Sequence, residues 1–153
     1  MKSVGSPIGL LYTWWRGDVL PELPPLSDFA VASLTDHQRI AEVSGLSTDA
    51  VQARLRAGNR FYLARLQGTP VASGWSATRE GAIGSLNVTF AIPPGNHYLW
   101  DFVTRPAWRG RGLYPRLLQA ILLREGDETE RFWIGHDLEN VASRRGILKA
   151  GFQ

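Results

Sequence analysis

The residues best suited to chemistry are Arg109-Gly110-Arg111-Gly112. They lie between an apolar run, residues 98–104, and a helical pattern that starts near Gly112. Pro106 ends the run, and the two glycines remove side chains where the chain must turn and a ligand must come close. The amides of Gly110, Arg111, Gly112, Leu113 and Tyr114 then precede or open the helix. Unpaired amides at the positive end of a helix dipole make an anion site. Arg109, Arg111 and Arg116 add full charges, whereas Pro115 offers no amide. A dinucleotide fingerprint needs a third glycine where Pro115 stands, and a nucleoside-triphosphate loop needs Gly-Lys-Ser/Thr. A plain glycine-rich turn with solvated arginines is the competing reading of these residues taken alone.

Acid–base candidates lie on the run itself. Asp101 sits among Trp100, Phe102 and Val103, where burial would raise its pKa into a useful range. The competing reading is a carboxylate paired with an arginine. Tyr98 starts the run as an acid, a water holder or a core aromatic. His97 and His136 fall near strand ends. The three histidines show no metal-ligand spacing, so no metal is expected. The absence of cysteine excludes disulfides, thiolate zinc sites and a cysteine nucleophile.

The segment Arg109-Gly110-Arg111-Gly112-Leu113-Tyr114 resembles the Gln/Arg-x-x-Gly-x-Gly/Ala pattern of the GCN5-related N-acetyltransferase family. It matches at Arg109 and Gly112 and departs at Tyr114. Asn140, eleven residues before Gly151-Phe152, is similar to a second feature of that family. The resemblance covers about residues 29–153 and implies an acyl-CoA N-acyltransferase-like fold: a mixed, mostly antiparallel central sheet flanked by helices. It also implies acetyl-CoA or another acyl-CoA as co-substrate. The turn would hold the pyrophosphate, main chain at Phe102, Val103 and Thr104 would hold the pantetheine arm, and Asn140 would assist. The acyl group would pass to a small-molecule or peptide amine by direct attack, with Asp101 and Tyr98 as catalytic candidates. Ile147 stands where many members carry an acidic tyrosine, which favours an alternative: a non-catalytic acyl-CoA sensor or partner domain.

The elements that would position these residues follow from pattern. Four prolines within residues 1–27 read as an N-terminal extension packed through Leu10, Leu11, Trp14 and Trp15. The domain proper is expected over 28–153. Strands are expected at 29–34, 59–66, 71–77, 85–92, 98–104 and 130–135, with a turn at 79–81. Asp36 and Ser47 each cap a short helix. Leu113, Leu117, Leu118, Ile121 and Leu122 share one face of a third helix, and Asn140 caps a fourth that Gly151 ends. The early end at Gln153 predicts a missing last strand and an open sheet edge, hence a homodimer through that edge or a longer protein.

All but Lys2 and Lys149 of the 17 basic residues are arginine, and the net charge is +3. They form no run, so nucleic acid is not the expected partner. No segment reaches the roughly 20 apolar residues of a membrane span, and no cleavage pattern follows residues 8–15. A cytoplasmic protein without a membrane partner is the expectation.

Overall fold

The computed structural model describes residues 9–83 and 87–153. Eight strands and four α-helices are described: β1 (Gly9–Trp15), β2 (Phe29–Leu34), α1 (His37–Ser44), α2 (Thr48–Arg56), β3 (Asn59–Leu66), β4 (Thr69–Ala77), β5 (Glu80–Ile83), β6 (Val88–Ala91), β7 (Asn96–Thr104), α3 (Leu113–Glu125), β8 (Arg131–Asp137) and α4 (Val141–Ala150). Six strands form one sheet in the order β1-β8-β7-β4-β3-β2, and β5-β6 is a separate hairpin. Every pairing is antiparallel except β7 with β8, which α3 joins as a crossover. This is the mixed, mostly antiparallel α/β sheet expected from the sequence.

The caps behave as their chemistry requires. Asp36 accepts from Arg39 N at 2.8 Å, Ser47 from Ala50 N at 3.1 Å and Asn140 from Ser143 N at 3.0 Å. Gly151 ends α4 at φ 111°, a left-handed stop that needs no Cβ. The apolar stripe of α3 is buried: Leu113, Leu117, Leu118, Ile121 and Leu122 join Leu99, Phe132 and Ile134 in the main core. Each such side chain contributes roughly 1.5–3 kcal/mol by leaving water. A second core lies on the other sheet face, where Ile40 and Val51 of α1 and α2 cover Phe61, Leu63 and Trp75.

Two expectations need correction. Glu80 and Gly81 are not a turn but begin β5, which pairs with β6 over Glu80–Ile83 and Val88–Ala91. The strand expected at 85–92 is therefore shorter, and its residues 85 and 86 lie outside the described residues. The N-terminal segment is also more than a packed extension. Gly9–Trp15 adds a full edge strand along β8, from Gly9 opposite Asp137 to Trp15 opposite Arg131. The edge expected to be open beside β8 is thus paired with this chain's own β1, which moves the sheet edge to the outer side of β1. Gln153 exchanges two main-chain hydrogen bonds with Thr13, 2.8 and 2.9 Å, on the far side of β1. Only Trp14 of the four expected anchors is buried; Leu10, Leu11 and Trp15 are about half exposed. Among the described residues, no helix is long and apolar enough to cross a membrane.

Candidate active site

β7 has two different halves. From Asn96 to Leu99 it pairs with β8, residue by residue against Arg131 to Ile134. Beyond Leu99 that pairing stops, while pairing to β4 continues to Thr104 through a register shift. The shift is a bulge centred on Asp101, which holds a left-handed φ of 54°. Gly74 lies opposite because the ring of Phe102 packs there; a Cβ at Gly74 would fall 2.1 Å from it. The parting of β7 from β8 opens a cleft of about 1440 Å³.

The glycine-rich turn forms one end of this cleft. Gly110 and Gly112 have φ 76° and 70°, left-handed values that a side chain would strain. Gly112 is the N-cap of α3. Among the described residues, the amides of Gly110, Arg111, Gly112, Leu113 and Tyr114 meet no acceptor within the chain. Phe102, Val103, Thr104, Arg109, Gly110, Gly112, Leu113, Tyr114 and Asn140 all line the cleft, as do Asp101 and Tyr98.

Arg111 does not line it, since its guanidinium stacks over Trp108 at 4.7 Å. Arg116 donates to Gly112 O at 2.7 Å and Pro24 O at 2.6 Å, bracing the turn against the N-terminal segment. Asn140 both caps α4 and faces the cleft. Tyr114 crosses from α3 to α4, where its hydroxyl lies 3.3 Å from Ser143 Oγ. Gly146 makes room, because a Cβ there would fall 2.4 Å from the Tyr114 ring. Burial raises the Tyr114 pKa to about 12, against a smaller lowering by Ser143, so the phenol stays protonated.

The acid–base candidates separate. Asp101 is not buried mid-strand: its side chain is 41% exposed, and Arg54 of α2 donates to Oδ2 at 2.7 Å. Arg54 also stacks over Trp100 at 4.4 Å and Trp75 at 5.0 Å. Tyr98 is buried beside Ala77 and Ile92, and burial raises its pKa. His97 turns away from the cleft and meets Glu125 Oε1 through Nδ1 at 2.6 Å. His136 lines the cleft. Its Nδ1 lies 2.7 Å from Asp137 O, which only accepts, so Nδ1 carries the proton. Its Nε2 lies 3.1 Å from the Tyr12 hydroxyl. Ile147 is fully buried in the main core.

The sequence reading missed Arg54 and the N-terminal Leu10 and Leu11 as cleft residues. Arg54 lies 47 positions from Asp101 and belongs to no motif, so no sequence signal joins them. Among the described residues, no group of three or more His, Asp or Glu side chains is placed to hold a metal ion.

A parallel strand pair that splays beside unpaired amides at a helix start defines an acyl-CoA N-acyltransferase-like fold. The profile of the Acetyltransferase (GNAT) family matches residues 27–152, so the chain belongs to that family. An acetyltransferase of this family from Novosphingobium aromaticivorans has a similar structure: TM-score 0.63 and 18% identity, over 95% of this chain and 59% of that one. A predicted acetyltransferase from Clostridium acetobutylicum with acetyl-CoA gives 0.55 and 15%, over 82% and 90%. An aminoglycoside N-acetyltransferase in complex with CoA gives 0.60 and 16%, over 81% and 91%. The chain spans 52–59% of the length of the first three solved structures it matches. A search of curated proteins finds no match.

Proposed function

We propose that this chain moves an acetyl or other acyl group from acyl-CoA to a small-molecule or peptide amine by direct attack. The observation that carries this reading is the row of acceptor-free amides from Gly110 to Tyr114, opening onto the cleft where β7 leaves β8. The CoA pyrophosphate would sit on those amides at the start of α3, beside Arg109. The pantetheine arm would follow the main chain of Phe102, Val103 and Thr104, with Asn140 across from it.

The neutral amine nitrogen attacks the thioester carbonyl carbon. An oxyanion forms, held by a main-chain amide near Val103. The C–S bond then breaks, the amide product leaves, and the CoA thiolate takes, through water, the proton that Asp101 has received from the amine. The proton lost by the amine goes to Asp101, directly or through water, at an oxygen not held by Arg54. Tyr98, kept protonated by burial, supplies a hydroxyl that holds that water. Ile147 and the Arg54–Asp101 pair favour a second reading, an acyl-CoA-binding domain without turnover.

Calorimetry with acetyl-CoA tests the site. Gly112→Asp places bulk and negative charge in the cradle, and its affinity is expected to fall at least about tenfold. Unchanged affinity in a folded variant removes the cradle from the function. Release of CoA thiol from acetyl-CoA in the presence of amines separates the enzyme from the binding domain.

A further inference from the structure

Arg54 is held more firmly than a counter-ion for Asp101 requires. Its guanidinium lies over two indoles, Trp100 at 4.4 Å and Trp75 at 5.0 Å. These are cross-strand partners on β7 and β4. Asn59 ties the platform to α2: its Nδ2 donates to Arg54 O at 3.1 Å, and its Oδ1 accepts from Trp100 Nε1 at 2.9 Å. Stacking on aromatic faces removes rotamer freedom from a long side chain before any ligand arrives. Trp100 and Asp101 are consecutive, so a regular strand would send them to opposite faces. Both meet Arg54 because the chain bulges at Asp101.

The contact with Asp101 uses only part of the guanidinium. Nη1 donates to Oδ2 at 2.7 Å. Among the described residues, Nε and Nη2 have no acceptor within the chain, and neither is an enclosed atom. A guanidinium that only neutralised Asp101 could grip both carboxylate oxygens in a fork. Here the Nε–Nη2 edge stays open, on a residue that lines the cleft. Such an edge is a bidentate site for a second carboxylate. The other oxygen of Asp101 has no donor within the described chain.

The remaining charges of the cleft lie elsewhere. Arg109, Arg145 and Lys149 belong to the glycine turn and α4, at the cofactor end. A Cβ at Gly135 would fall 2.9 Å from Leu11 Cδ2 and 3.9 Å from the Tyr98 hydroxyl. Asp137, two residues further along β8, shares that face. It is exposed, lines the cleft and has no ion-pair partner among the described residues. An acceptor may therefore carry a further cation toward β8, whereas a carboxylate on it must lie toward Arg54.

Resting on the acyl-transfer reading, we infer that the acceptor is a free α-amino acid, whose carboxylate binds the open edge of Arg54 while its amine meets the free oxygen of Asp101. The Arg54–Asp101 pair offers one charge of each sign, as the amino acid zwitterion does. The ammonium gives one proton to solvent, and the neutral amine attacks the thioester carbon. The proton shed on attack passes to Asp101 and then to the CoA thiolate. The products are the N-acyl amino acid and CoA. Arg54 sets specificity and keeps its own protons throughout.

Two measurements on the whole chain test this. The first is CoA release from acetyl-CoA with a panel of L-amino acids, each against the amine that lacks its carboxylate: phenylalanine against phenethylamine, lysine against cadaverine. For the side chain turned over best, the amino acid is expected to show kcat/KM at least about tenfold higher than its amine. Arg54→Lys can still pair with Asp101 but has no fork. It is expected to lower that ratio at least about tenfold, through a raised KM for the amino acid, at unchanged acetyl-CoA affinity. An arginine that only pins Asp101 would change both members of a pair alike, and that result overturns the inference. So do amines that match or exceed their amino acids across the panel. The second measurement is equilibrium binding of the same pairs to the CoA-saturated protein, which needs no turnover. No preference for the amino acids there overturns the inference. A preference that Arg54→Lys removes, without turnover of any pair, would instead overturn the acyl-transfer reading and leave the carboxylate anchor standing.

Discussion

The two halves of β7 solve opposite problems within nine residues. In the first half, the buried polar side chain His97 is enclosed and answered. His97 meets Glu125, which also accepts from the Tyr62 hydroxyl at 2.5 Å and the Ser76 hydroxyl at 2.6 Å; Thr129 lies 3.1 Å from the same His97 nitrogen. Glu125 is 1% exposed. In the second half the strand bulges at Asp101 and loses its β8 neighbour, and the turn beyond it leaves amides unanswered. A fully satisfied buried network stabilises the structure and offers nothing to a ligand. An unsatisfied and exposed one costs little in water and is available for binding. The sheet is anchored at one end so that it can be open at the other.

The largest expected effect lies at the anchored end. Glu125→Leu strands Tyr62, Ser76 and His97 in the core and should cost about 3–5 kcal/mol, read from urea melts. Burial alone would raise the Glu125 pKa, but hydrogen bonds from His97, Ser76 and Tyr62 outweigh it, so the pKa lies below its ordinary 4.5. A lowered folded-state pKa means that the unfolded chain takes up the proton first. The contribution is complete above about pH 4.5 and is lost as pH falls through the folded value. Thermal stability should therefore fall on acidification below that point, and more steeply in the native protein than in Glu125→Gln. Equal slopes would show that the network is not the titrating element.

The open half should respond in function before stability. If Asp101 takes the proton, Asp101→Asn loses about two orders of magnitude in turnover at unchanged acetyl-CoA affinity, and the acid limb of its pH–rate profile flattens. If the Arg54 pair is its whole role, turnover stays near normal and the melting temperature drops slightly, as befits a pair 22% and 41% exposed. Gly146→Ala sharpens the contrast at smaller scale. Its Cβ displaces the Tyr114 ring, so a loss of about 1–3 kcal/mol in stability is expected, with weaker acetyl-CoA binding in calorimetry. An unchanged affinity would mean that the position of Tyr114 does not shape the cofactor channel.

Local chemistry explains what was legible in the sequence. Asp36, Ser47, Asn140 and Gly151 fix their helix ends through contacts within a few residues. The stripe on α3 and the glycines at 110 and 112 carry geometry that no distant residue must supply. The hairpin start at Glu80 was hidden because Arg79-Glu80-Gly81 carries turn residues, while pairing with Phe90 and Ala91 made it a strand. β1 was hidden by the prolines around it, since proline marks where a strand stops and does not reveal which edge accepts it.

By itself, then, the sequence determined the glycine turn at Gly110 and Gly112 that opens α3, the helix caps and the mixed sheet with its crossover. All of these rest on spacing and backbone preference along the chain. Tertiary structure alone decided that Arg54 meets Asp101 across 47 positions, that β1 lies along β8, and that Leu11 stands beside Tyr98. Those outcomes depend on which surfaces pack, and packing is decided by the whole set of buried faces at once. The bulge shows the two together: Asp101 tolerates a left-handed φ better than most side chains, but only the loss of β8 beyond Leu99 gives that bend a cleft to face.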